Sequence, residues 1–122
     1  MRDVPVIAII DDDESVRIAL ESLVRSLGYS ARVFAAAAEF LRSGRIDDTA
    51  CLIVDVQMPG MSGLELQDLL LARNVRLPTV FITAYPEERV RRRALAGGAL
   101  AGFFYRWLSP TSALEPDVRG RA

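Results

Sequence analysis

Asp11-Asp12-Asp13-Glu14 closes one apolar run, and a single carboxylate, Asp55, closes another. Both runs, Val4 to Ile10 and Leu52 to Val54, are rich in β-branched residues and read as buried strands. A third run, Thr79 to Ile82, ends on Thr83. Open parallel sheets hold their ligands outside the carboxyl ends of the strands, so these polar groups share a crevice if the strands are neighbours. Carboxylates packed together raise one another's pKa values and work against folding unless their charge is offset. A hard divalent cation offsets it, and an all-oxygen, partly hydrated donor set suits magnesium. Beside such an ion Asp55 is a candidate nucleophile toward a phosphoryl group. Carboxylates form acyl phosphates, and the transfer depends mostly on positioning and charge neutralisation. Thr83 can donate a hydrogen bond to a phosphoryl oxygen. Capping of a following helix needs one acid and accounts for neither Asp55 nor Thr83.

The segments that must position these ends alternate between strand and helix patterns. Val16, Ala19, Leu20, Leu23, Val24 and Leu27 recur at helical spacing, with Asp13 or Ser15 as the cap and Gly28 as the left-handed residue past the end. Ser30 to Phe34 reads as a second strand, and Ala35 to Arg42 as a short helix with Phe40 and Leu41 inward. Ala50 to Val54 is the third strand, followed by the loop Met58-Pro59-Gly60-Met61. Ser62 and Glu65 form a capping-box pair, and Leu66, Leu69 and Leu70 give the next helix its apolar stripe until Arg76-Leu77-Pro78 breaks it. After Thr83, Pro86 and Glu87-Glu88 open a fourth helix that runs to Gly97-Gly98. Its Arg91-Arg92-Arg93 run reads as a solvated face rather than a nucleic-acid contact. Gly102 to Trp107 supplies an aromatic fifth strand, after which the pattern decays.

This alternation predicts an α/β fold: a flavodoxin-like, doubly wound, five-stranded parallel sheet of order 2-1-3-4-5, with a fifth helix short or absent. In that order the first strand lies beside the third, which brings Asp11, Asp12 and Asp55 to the switch point. Acids occupy the turn where a Gly-rich nucleotide fingerprint would stand.

The chain has 122 residues, and residues 1–122 read as a single domain. A net charge of −1 gives no bulk attraction to nucleic acid or to an anionic membrane. No apolar run approaches the ~18 to 20 residues that span a bilayer, and no secretory pattern opens the chain. The single Cys51 excludes an internal disulfide and suits a reducing, cytoplasmic setting. All fifteen basic residues are Arg, with no Lys and no His, so a mechanism that needs an ammonium or imidazole from this chain is excluded.

Taken together, Ile9-Ile10-Asp11-Asp12-Asp13-Glu14-Ser15-Val16-Arg17, Asp55-Val56-Gln57-Met58-Pro59-Gly60-Met61-Ser62-Gly63 and Phe81-Ile82-Thr83-Ala84 resemble the receiver domains of two-component response regulators, and most closely their FixJ-like branch. The resemblance covers residues 4 to about 99, with 100–122 divergent. It implies the CheY-like form of the fold above and phosphotransfer from a sensor histidine kinase to Asp55. It further implies magnesium held by Asp12, Asp55 and the backbone carbonyl of Gln57, with Asp11 acting through water. Thr83 is then the switch hydroxyl, coupled to an aromatic on strand five.

The family also carries a Lys at the end of strand five, followed by Pro. Counting forward from Gly98-Ala99 puts Tyr105 at the Lys position; counting back from Leu108-Ser109-Pro110 puts Arg106 there, which is preferred and makes Phe103 the switch aromatic. Arg keeps the charge but is longer and planar. A weak fifth helix would leave aromatics near strand five uncovered, favouring self-association or a downstream protein partner through the helix 4/strand 5 face. The expected function is a stand-alone receiver acting as a signalling switch, not an enzyme. The alternative is a degenerate pseudo-receiver that serves as a phosphorylation-independent interaction module. An aspartyl-nucleophile phosphatase is disfavoured, because Asp55-Val56-Gln57 lacks a second acid two residues on.

Overall fold

The computed structural model describes residues 4–83, 88–96 and 99–101. Short β-branched runs form β1 (Val6–Ile10), β2 (Ser30–Phe34), β3 (Cys51–Asp55) and β4 (Thr79–Ile82), and Ala99–Ala101 forms β5. Between them lie α1 (Glu14–Ser26), α2 (Ala37–Arg42), α3 (Gly63–Ala72) and α4 (Glu88–Ala96). The strands pair in parallel in the order β2-β1-β3-β4-β5, as the alternation predicts. Ile10 pairs with both Phe34 and Val54, and Asp55 pairs with Ile82. This register sets the carboxyl ends of β1, β3 and β4 side by side.

Successive strand residues face opposite sides of the sheet, so each run feeds two cores. Ala8, Ile10, Leu52, Val54 and Phe81 join Phe40 of α2 and Leu64, Leu66 and Leu70 of α3. Ile9, Ala31 and Ile82 join Leu20 and Val24 of α1 on the other side. Phe40 is fully buried and meets Phe34 edge-on, with ring centroids 5.5 Å apart. Among the described residues no helix is long and apolar enough to cross a membrane.

Several boundaries differ from the sequence expectation for physical reasons. α1 buries a narrower stripe, Leu20 and Val24, and leaves Leu23 at 39% and Leu27 at 65% exposure. A helix laid on one sheet face covers only its central row. Its end follows the expectation: Gly28 has φ +95°, and the Gly28 and Tyr29 N–H groups donate back to the carbonyls of Arg25 and Val24. α3 stops before Arg76-Leu77-Pro78. Asn74 takes φ +63°, and the Asn74 and Val75 N–H groups close the same motif on Leu71 and Leu70. Within α3, Gln67 is buried and Leu69 only half-buried.

β5 pairs with β4 through Ala99 and Ala101, ahead of the strand expected from Gly102, with a register irregularity at Thr79/Val80. The whole of the expected aromatic strand, Gly102 to Trp107 with Phe103 and Arg106, lies outside the described residues, as do the fifth helix and Pro86. Arg92 and Arg93 on α4 are exposed, and Arg93 pairs with Asp68 of α3 at 2.6 Å. Both partners of that pair are more than half exposed, so it adds little stability.

Candidate functional site

The acidic turn is built from the end of β1 outward. Asp11 is 3% exposed, and its N–H extends the β1–β2 pairing by donating to the Phe34 carbonyl at 3.1 Å. One oxygen of its carboxylate, Oδ1, accepts the Asp13 N–H at 2.8 Å. Asp13 is the cap of α1: its Oδ1 accepts from the Ser15 hydroxyl at 2.6 Å, the Ser15 N–H at 2.9 Å and the Val16 N–H at 3.3 Å. The Ser15 hydroxyl, foremost, and these amides hold the Asp13 carboxyl below its ordinary value. Capping thus occupies Asp13 and leaves the exposed Asp12 beside Asp11.

Asp55 ends β3 half-buried, and its Oδ1 accepts the Gln57 N–H at 3.1 Å. The chain then turns sharply. The Val56 N–H donates to Ile82 and the Gly63 N–H to Val56. The turn ends in the capping box foreseen from sequence, in which Ser62 accepts the Glu65 N–H at 3.1 Å and Glu65 accepts the Ser62 N–H at 2.8 Å. Gly63 opens α3 so close to β3 that a Cβ there would strike the Asp55 carbonyl oxygen. Thr83, 4% exposed, directly follows β4, whose last residue pairs with Asp55.

Asp11, Asp12 and Asp55 each offer a carboxylate oxygen, and these atoms all lie within 4.8 Å of one another. Burial, foremost, pushes the Asp11 carboxyl up to about 6, with Asp12 and Asp13 adding to the rise. Burial also raises Asp55 to about 7, with Asp11, Asp12 and Asp13 contributing and the Gln57 N–H opposing. Among the described residues the cluster supplies only oxygen donors, and the Arg17 guanidinium nearby does not offset the rise from burial and the neighbouring acids; both properties fit a hard divalent cation. The structure therefore brings Asp11, Asp12 and Asp55 together and sets the Gln57 N–H, rather than its carbonyl, on Asp55, with Thr83 on the adjacent strand end. Arg106 and Phe103 fall outside the described residues.

Two contributors carry no signal in spacing alone. Arg17 reaches back from α1 to donate to the Asp11 carbonyl at 2.7 Å. Gly63 matters because of the close approach of α3 to β3, which only the folded backbone reveals.

Comparison with known proteins agrees with this geometry. The family model for the response regulator receiver domain matches residues 7–104. Nodulation protein W of Bradyrhizobium diazoefficiens is 39% identical over 95 residues, covering 78% of this chain and 42% of that protein. The transcriptional regulatory protein FixJ of Azorhizobium caulinodans is 37% identical over 91 residues, covering 75% of this chain and 43% of that protein. The chain thus spans less than half the length of these curated relatives. The solved structure of the response regulator StyR superposes with a TM-score of 0.77 at 40% identity, covering 85% of this chain and 52% of that one. With the matched fold, the acidic strand ends and the family model all in agreement, the chain belongs to the receiver domains of response regulators.

Proposed function

We propose that Asp55 accepts a phosphoryl group from the phosphohistidine of a sensor histidine kinase, in a magnesium-dependent reaction that sets a signalling switch. The observation that carries this is the convergence of the Asp11, Asp12 and Asp55 carboxylates within 4.8 Å at the strand ends. Asp12, Asp55 and the Gln57 backbone carbonyl would hold magnesium, with Asp11 acting through water. The ion, when bound, neutralises charge on the phosphoryl oxygens.

The chain's own residues do the rest. The Gln57 N–H fixes one Asp55 oxygen and so sets the plane from which the other attacks phosphorus. A P–O bond forms and the P–N bond breaks, with its electron pair returning to the kinase imidazole. The protein acts as acceptor and switch rather than as an enzyme with a further substrate. Thr83 is the hydroxyl that turns toward the new phosphoryl charge, with Phe103 as its aromatic partner and Arg106 in place of the family Lys.

The output is a protein contact, to a downstream partner or a second copy, through the helix 4/strand 5 face. It takes place in the cytoplasm without direct nucleic-acid binding by this domain. The curated relatives are more than twice as long as the matched segment, so the stand-alone reading gains no support from them. The absence of any Lys favours one second reading, a pseudo-receiver that binds partners without phosphorylation.

Labelling separates the two. With a small phosphodonor, wild type takes up label only when magnesium is present, and Asp55→Asn takes up none. An unlabelled wild type that still binds its partner would establish the pseudo-receiver.

A further inference from the structure

We propose that Arg17 is a positioning residue for the acidic site: it holds the Asp11–Asp12 peptide in the orientation that presents Asp12 to a divalent cation. The proposal rests on the magnesium reading above. The Arg17 Nη1 donates to the Asp11 carbonyl at 2.7 Å, and that carbonyl lies in the peptide plane joining Asp11 to Asp12. Asp11 is fixed at two other points, its N–H on Phe34 and its carboxylate on the Asp13 N–H.

Asp12 has no such anchors. Its carboxylate is exposed and, among the described residues, makes no hydrogen bond or ion pair. Among the described residues its place in the cluster is set by the backbone alone. Arg17 is well placed to set that backbone, because its own N–H bonds to the Asp13 carbonyl at 3.0 Å in the first turn of α1. A charge-assisted hydrogen bond from a half-buried guanidinium is among the stronger local restraints available to such a turn.

A bland alternative exists, in which Arg17 merely softens the repulsion among the acids. The two readings differ in sign. A nearby cation repels Mg2+, so if charge were all that mattered, its removal would tighten metal binding. A positioning residue, once removed, loosens it.

The test is calorimetric titration of wild type, Arg17→Ala and Arg17→Lys with MgCl2, with metal-free amide NMR spectra as a second readout. Groups that orient metal ligands are typically worth about 10- to 100-fold in affinity, so Arg17→Ala should bind Mg2+ at least ~10-fold more weakly. Its Asp12 and Asp13 amide resonances should also shift without metal. Arg17→Lys, which keeps a charged donor, should recover most of the loss. If Arg17→Ala does not fold, Arg17→Met keeps the aliphatic stem and carries the same comparison. Equal or tighter Mg2+ binding by the neutral variant overturns the proposal and leaves the phosphoacceptor reading standing. A wild type that binds no Mg2+ overturns both.

Discussion

In metal-free buffer at neutral pH, Asp55→Asn should be more stable than wild type by about 2 to 3 kcal/mol, since each pKa unit is worth about 1.4 kcal/mol and solvent reaches part of the side chain. The Asp55 carboxyl is raised from its ordinary 3.8 to about 7, so the folded state holds this proton more tightly than the unfolded one. Below about 4 both states are protonated and Asp55 contributes nothing. Between there and about 7 the unfolded chain ionises first, and stability falls as pH rises. Asp11, raised to about 6, tilts the same way.

Asn keeps an oxygen for the Gln57 N–H and removes the charge, so the variant should show a flatter pH profile and a Tm higher by roughly 10 °C at pH 7.5. Saturating magnesium should raise the Tm of wild type and close the gap. Thermal melts across this pH range check it; a wild type that gains stability from pH 4.5 to 7.5 without metal would contradict it. A site that costs stability until its ligands arrive is the signature of function rather than of folding.

The second large effect concerns the seam between α3 and β3. Gly63→Ala should destabilise the fold by about 2 to 3 kcal/mol, the scale of overpacking against an unyielding neighbour. The new Cβ would run into the Asp55 carbonyl oxygen, with the Asp55 carbonyl carbon at 3.1 Å and Val56 Cα at 3.2 Å. Asp55 is the last paired residue of β3 and the Val56 N–H is bonded to the Ile82 carbonyl, so these backbone atoms cannot swing aside. Relief requires α3 to lift or the Asp55 peptide to rotate, and either moves the proposed phosphoacceptor. Denaturant unfolding should show a lower midpoint, and phosphodonor labelling should slow even in conditions where the variant is fully folded. A wild-type midpoint with wild-type labelling would show that the seam has slack.

The parts of this site that are legible in the sequence are those set by where hydrophobic runs stop. Ile10 gives way to Asp11, Val54 to Asp55 and Ile82 to Thr83, and a parallel sheet converts those stops into one crevice. The Ser62/Glu65 pair is equally legible, because capping is local chemistry. What escapes the sequence depends on backbone geometry. Asn74 ends α3 by adopting a left-handed conformation that Pro78 masks as the evident breaker. Ala99–Ala101 has weak strand preference and joins the sheet through pairing with β4, while pattern alone points to the aromatics beyond. Arg17 and Gly63 contribute through single contacts across a turn and a seam, which no periodicity encodes.

The central claim is an acyl phosphate on Asp55, and its most direct test is chemical trapping. The protein would be incubated with acetyl phosphate and MgCl2, reduced with borohydride to convert any aspartyl phosphate to homoserine, and mapped by tandem mass spectrometry. The account predicts homoserine at position 55 alone, and none when magnesium is omitted. Homoserine at Asp11 or Asp12, or an unmodified chain with magnesium and donor both present, would contradict it.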